Sequence, residues 1–379
     1  MKVYLDNNAT TPVDPRVAEI IQTCLTKYFG NPASAGHAWG WEAEELVNIA
    51  RENVAELIQR DSKDTIFTSG ATESINLALR GIKKKHKRVI YSSIEHKAVL
   101  DCIAQLEREG IECVRLGVNR EGFLNLTELQ ESLKSPADLV SIIAANNEIG
   151  TIQDLEIIGE ICAQSGALLH LDLSQLIGKV KIDYKSLHFD LASISAHKFY
   201  GPKGAGALYI SPKLKAELTP LIFGGGHEHG IRAGTLNTPG IVGFGKAAEI
   251  IRSEIDQILS ETESLTSLFD SLMSKAIEDI ILNGPSSNRI CGNLNYALPG
   301  IRADKLISKL AKDIAISSSS ACMSHLSEES HVLSAIGLDK ELRNSCIRIG
   351  IGRFNSEEEI RFAADKIIEA YQSLTQSSN

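Results

Sequence analysis

No apolar run in the 379-residue chain approaches the ~18 residues that a membrane-crossing helix requires, so nothing in it reads as a span. A signal-peptide pattern is missing too, since Met1 leads straight into a short strand-like segment. Positive charge is not in excess: 39 Lys and Arg face 48 Asp and Glu, and the net charge of −9 argues against wrapping nucleic acid. The one basic run, Lys83 to Arg88, precedes a strand-like segment and reads as a solvated turn. The seven cysteines (Cys24, Cys102, Cys113, Cys162, Cys291, Cys322, Cys346) form no C-x-x-C pair and no disulfide-like spacing, as in a reducing compartment. There is no internal repeat, and low complexity is confined to Ser317 to Ser320 and the polar C-terminal tail. A cytoplasmic protein with no membrane contact and no direct nucleic-acid partner is expected.

What is present is enough apolar content, 43%, to bury a large core, over a length that suggests two lobes. Short β-rich runs alternate with longer helical ones, the pattern of a mostly parallel sheet covered by helices. Seven strands are expected at 65–68, 88–92, 111–116, 138–144, 167–172, 191–195 and 207–210. Asp14 and Pro15 read as the N-cap and first residue of a helix, Thr127 with Gln130 as a capping box, and Ser356 with Glu359 as another. Beyond about Ile250 the texture changes to a long polar helix and a smaller α/β region. The expected division is a large domain over 14–250 and a small one made of 1–13 with 251–379.

Ligands of an open α/β sheet bind outside the carboxyl ends of its strands, and four such ends are unusually polar. The run DTIFT leads into Ser69, Gly70, Ala71 and Thr72, which open a helix with N–H groups suited to an anion. VIYSS leads to His96, which can stack on a flat ring or move protons. SIIAA leads to Asn147, and ALLHLD ends in Asp172 with Gln175 one turn later; a buried aspartate calls for a cation or donors. Finally, Ser195, His197 and Lys198 precede Gly201-Pro202-Lys203-Gly204. A ligand that combines a phosphate, an aromatic nitrogen base and an aldehyde occupies all four ends, and pyridoxal 5'-phosphate is such a ligand, with Lys198 as its Schiff-base lysine.

Asp190, Ser195, His197, Lys198, Gly201, Pro202, Gly204 and Gly206 resemble the lysine signature D-x-x-x-x-S-x-H-K-x-x-G-P-x-G-x-G of the class V aminotransferases. More narrowly, YLDNNATTPVDP, FGNPAS, TSGATESIN, EHKAV, NNEIGT, GGGHEHGIRAGT, SSSSAC and IRIGIGR are similar, in order and spacing, to the cysteine desulfurases of the NifS and IscS type. The resemblance runs nearly end to end. It implies fold type I, a homodimer, and conversion of L-cysteine to L-alanine with the sulfur left as an enzyme persulfide.

By that resemblance Ala71, Thr72, Ser195 and His197 bind the phosphate, joined by Thr235, which reaches the cofactor of the opposite subunit. Asp172 takes the pyridine nitrogen, His96 stacks on the ring, and Gln175 bonds the ring oxygen. Asn147 and Arg348 hold the substrate carboxylate, and Cys322 accepts the sulfur. Cys322 sits in a polar, small-residue stretch unlike a core thiol, where His96 or the local His325 can serve as its proton acceptor. The sequence departs from the family pattern at Ser174, His229 and Ser319. The expected sulfur acceptor is an iron–sulfur scaffold, tRNA-thiolation or DNA-sulfur-modification protein. Rival readings are a selenocysteine lyase and another class V aminotransferase-like enzyme. His227, Glu228 and His229 lack the H-E-x-x-H spacing of a zinc site, and Gly201 to Gly206 lacks the order of a dinucleotide loop.

Overall fold

The computed structural model describes residues 1–318 and 329–376. After a two-residue strand β1 (Val3–Tyr4), seven strands build the central sheet: β2 (Thr65–Thr68), β3 (Arg88–Ser92), β4 (Glu112–Leu116), β5 (Leu139–Ile143), β6 (Leu168–Asp172), β7 (Leu191–Ser195) and β8 (Gly206–Ile210). Their spatial order is β2-β8-β7-β6-β5-β3-β4, and β8 alone runs antiparallel to its neighbours. All seven expected strands are present, within a residue at either end.

Alternation along each strand sorts side chains onto two buried faces. Phe67, Ile90 and Ile194 pack with Val17, Val47 and Phe244 on one face, while Ile66, Val89, Tyr91 and Leu208 pack with Ile75, Leu79 and Ile103 on the other. With both faces covered by helices, polar loops are left to gather at the strand ends.

The remaining strands are β9 (Ile281–Leu282), β10 (Asn293–Ala297), β11 (Ile314–Ala315), β12 (Ser317–Ser318) and β13 (Cys346–Gly350). Four form an antiparallel sheet in the order β12-β13-β10-β9, and β11 pairs with β1. Val3 and Leu5 share a core with Phe269, Tyr296, Ile349 and Ile367, so the first residues pack with the C-terminal elements. One 39-residue helix, Thr238–Ala276, runs unbroken through position 250 and contributes Phe244 to the large core and Phe269 to the smaller one.

Two of the three expected caps form as read. Asp14 accepts from Arg16 N at 2.8 Å ahead of Pro15, and Ser356 and Glu359 exchange reciprocal bonds of 3.1 and 3.2 Å. The third is corrected: the helix begins at Leu126 with Asn125 as its cap, so Thr127 lies already inside it. Asn125 Oδ1 accepts from Glu128 N at 3.1 Å, and Glu128 reaches out to Gly117 N at 2.7 Å. Among the described residues no helix is long and apolar enough to cross a membrane.

Candidate active site

The carboxyl ends of β2, β3, β5, β6 and β7 meet the chain's first residues in a cleft of about 400 Å³. At one end the helix Ala71–Gly81 starts with Gly70 in its cap position at φ 151°, making no side-chain cap bond. Gly206 packs against it so tightly that a Cβ there would lie 2.5 Å from Gly70 Cα. Glu73, in the first turn, accepts from Ser69 N at 2.8 Å and pairs with Arg232 at 2.8 Å. Burial works against its charge, but Arg232 and Ser69 outweigh burial and hold the carboxyl below its usual range. Ser195 and His197 also line the cleft. His197 Nδ1 lies 3.0 Å from Thr10 Oγ1, and burial, helped by the Lys198 and Lys203 cations, pushes its pKa down to about 4.

Lys198 follows β7 by one turn of 3-10 helix, and its Nζ donates to Asn8 O at 2.9 Å and Ala9 O at 2.8 Å. Asp172, the last residue of β6, is 4% exposed, and its Oδ1 accepts from Ser174 N at 2.9 Å. Nearby Glu95 is wholly buried; burial first, then the Asp172 charge, pushes its carboxyl well above the usual range, while Ile143 N opposes at 2.6 Å. Burial thus disfavours the charged form of Glu95. His96 Nδ1 accepts from Ala98 N at 3.1 Å, which leaves the proton of the neutral ring on Nε2. Burial lowers the His96 pKa, with Lys198 adding to the effect and Asp172 opposing it.

Gln175 Nε2 donates to Asn8 O at 2.8 Å, and Asn147 lines the same cleft. Arg348, on β13, is buried; it donates to Asn147 O at 3.2 Å and pairs with Asp6 at 2.9 Å. It stands behind Asn147 and is not among the residues that line the cleft. Among the described residues, buried Asn8 Nδ2, Ser174 Oγ and Arg348 Nε lack a hydrogen-bond partner. Of the three, Ser174 lines the cleft, and its unpartnered hydroxyl together with the helix start at Gly70 that has no side-chain cap fits a ligand with acceptor oxygens.

The Aminotransferase class-V family description matches residues 3–362. The chain belongs to the class-V aminotransferase family. It is 47% identical over 386 residues to a cysteine desulfurase IscS of Shewanella piezotolerans, covering 100% of this chain and 95% of that one. A solved NifS-like protein superposes with a TM-score of 0.90 at 38% identity, covering 97% of this chain and 99% of the other. SspA in complex with cysteine gives 0.78 at 32% identity over 94% of this chain and 100% of that one.

Thr72, Ala71, His96, Asn147, Asp172, Gln175, Ser195, His197 and Lys198 of this class-V aminotransferase are brought together in the cleft. Thr235 is not; it is exposed and lines a separate groove with Cys24, Phe29 and Leu236. Cys322, His325 and Ser319 lie outside the described residues. Glu228, weighed as a metal ligand with its flanking histidines, instead makes a bidentate pair with Arg51 at 2.7 Å and accepts from Phe67 N at 2.7 Å. Reading the sequence assigned no role to Asn8, Ala9 and Thr10, whose backbone and side chains meet Gln175, Lys198 and His197. Their signal was the run YLDNNATTPVDP, which carries part of the resemblance and whose polar stretch NNATT is separated from β1 by Leu5 and Asp6.

Proposed function

We propose that this chain is a pyridoxal-phosphate-dependent cysteine desulfurase. The observation that carries the reading is the single cleft in which an acid, a lysine, an imidazole and an uncapped helix start converge from separate strand ends. When bound, the cofactor supplies a carbonyl that links to amines and an electron-poor ring that accepts electrons released at the substrate's α-carbon.

The remaining work falls to the protein's own groups. The N–H groups at Ala71 and Thr72, with the Thr72 and Ser195 hydroxyls and His197, would hold the phosphate. Asp172, buried at the end of β6, would keep a proton on the ring nitrogen. His96 would cover the ring and Gln175 would donate to the ring oxygen. Lys198 would anchor the cofactor and, once a substrate amine has taken its place, accept the α-proton at Nζ. Asn147 would hold the substrate carboxylate, with Arg348 supporting it through Asn147 O and drawn forward from Asp6 to pair directly. Cysteine and the Cys322 thiol would then give alanine and a Cys322 persulfide, the carbon–sulfur bond breaking as the sulfur–sulfur bond forms.

The reading includes a homodimer, supported by the exposure of Phe29, Trp39 and Trp41 at 66%, 58% and 57% and by the position of Thr235 outside its own chain's cleft. It places the enzyme in the cytoplasm, where the free cysteines at 24, 102, 113, 162, 291 and 346 are stable. The persulfide sulfur would pass to an acceptor protein of the iron–sulfur scaffold, tRNA-thiolation or DNA-sulfur-modification kind.

The test is incubation of the purified, cofactor-loaded chain with cysteine, followed by alanine quantification and mass spectrometry. Many turnovers of alanine and one added sulfur on Cys322 are expected. Cys322→Ser should keep the visible absorbance and form no persulfide, and Lys198→Ala should lose the borohydride-trapped cofactor mass on that peptide. Undiminished sulfur release by Cys322→Ser, or a trapped cofactor on another lysine, refutes the assignment.

A further inference from the structure

Lys179 lies seven residues after the end of β6, in the turns that follow Asp172. Its Nζ donates to Gln175 Oε1 at 2.6 Å and to Asn8 Oδ1 at 3.0 Å. Among the described residues it has no carboxylate within ion-pair distance, so two amide oxygens receive the ammonium. An ammonium carries three donors and no acceptor. Both amides must therefore turn their oxygens toward Lys179 and their NH₂ groups away. For Gln175 that sends Nε2 to Asn8 O at 2.8 Å, with its second hydrogen left for a ligand in the cleft that Gln175 lines. For Asn8 it leaves Nδ2 buried and without a partner.

The same Asn8 carbonyl receives Lys198 Nζ at 2.9 Å, so Lys179, Gln175, Asn8 and Lys198 form one connected network. Two lysines held this close repel each other. Burial, the Lys198 and Arg348 cations together push the Lys179 ammonium well below its usual range, against a smaller pull from Cys291. Placing a lysine here is costly, and packing alone gives no reason for it. An amide without such a neighbour is free to present either its oxygen or its nitrogen to a ligand.

We infer that Lys179 is a positioning residue: it locks the side-chain amides of Gln175 and Asn8 so that Gln175 presents an N–H, and not a carbonyl, to the ring oxygen of the cofactor. This rests on the reading of the cleft as the pyridoxal phosphate site. Losing Lys179 removes a nearby cation and lets Gln175 turn its carbonyl to a negatively polarised oxygen. Both changes favour the protonated form of the lysine-linked chromophore.

The experiment uses cofactor-loaded wild type, Lys179→Met, Lys179→Arg, Gln175→Ala and the double variant Gln175→Ala/Lys179→Met, each titrated by visible absorbance against pH. Cofactor affinity is measured separately by dialysis. Lys179→Met should move the colour-change midpoint upward by about half a pH unit or more and weaken cofactor retention about tenfold. Lys179→Arg, which keeps the donors and the charge, should stay within a few tenths of a unit of wild type. In the Gln175→Ala background the further change at Lys179 should have less than about half its single-variant effect, since the two act as a unit. An unmoved midpoint in Lys179→Met, or full additivity in the double variant, overturns the inference. If Lys179→Met does not fold, Lys179→Gln takes its place, with a smaller upward shift expected and an unmoved midpoint again overturning it. Wild type that shows no visible band, or a trapped cofactor away from Lys198, would sink the cofactor-site reading instead, so the two failures are distinct.

Discussion

Replacing Glu148 with glutamine should change how stability depends on pH. Glu148 is 6% exposed, and its Oε2 accepts from Ser330 Oγ at 2.6 Å. Burial pushes its carboxyl from 4.5 to about 7, against the opposing pull of the Ser330 hydroxyl and the Arg348 cation. Because the folded state holds this proton more tightly than the unfolded state does, rising pH between about 4.5 and 7 favours unfolding, and the effect levels off above 7. At about 1.4 kcal/mol per unit the penalty reaches about 3 kcal/mol by pH 8. Glu148→Gln keeps an oxygen for Ser330 and cannot ionise. Urea unfolding of both proteins from pH 4.5 to 8 should therefore show the variant gaining on wild type by up to about 3 kcal/mol as pH rises. A difference constant across that window would refute the reasoning.

Three further outcomes are expected. Glu228→Ala leaves Arg51, 13% exposed, without its bidentate partner and should cost about 3–5 kcal/mol, read as a lowered thermal midpoint. Gly206→Ala sets a Cβ 2.5 Å from Gly70 Cα and should displace the start of the helix that follows β2; cofactor dissociating faster on dialysis at nearly unchanged fold would be the signature. Arg348→Lys, which loses the planar fork that meets Asp6 and Asn147 O, should raise the KM for cysteine about tenfold with a smaller change in kcat.

Local chemistry was the readable part of this fold. Strands such as Arg88–Ser92 and Leu191–Ser195 stand out because β-rich apolar runs break at polar residues, and those same breaks become the cleft. Asp14–Pro15 and Ser356–Glu359 are legible because a cap involves residues within a few positions of one another. The expected box of Thr127 with Gln130 failed because Asn125, two residues earlier, caps the helix and leaves Thr127 inside its first turn. The helix Thr238–Ala276 shows why a change of texture misplaces an element's start: its first turns are apolar because they serve the large core, and its later ones are polar because they leave it. Lys179 gave no local signal at all, since Gln175 is four residues away but Asn8 is separated from it by 171. Contacts of that span carry no periodicity to read.

The pairing of Val3–Tyr4 with Ile314–Ala315, and of Asn7 Nδ2 with Gly350 O at 2.8 Å, bears on how the protein is made. Residues 3–7 have no seat until residues 314–350, far later in the chain, have been made. Asn8 and Ala9, hung between those pairings and Lys198, take their places only once both ends of that span have met, so this wall of the cleft closes late in folding.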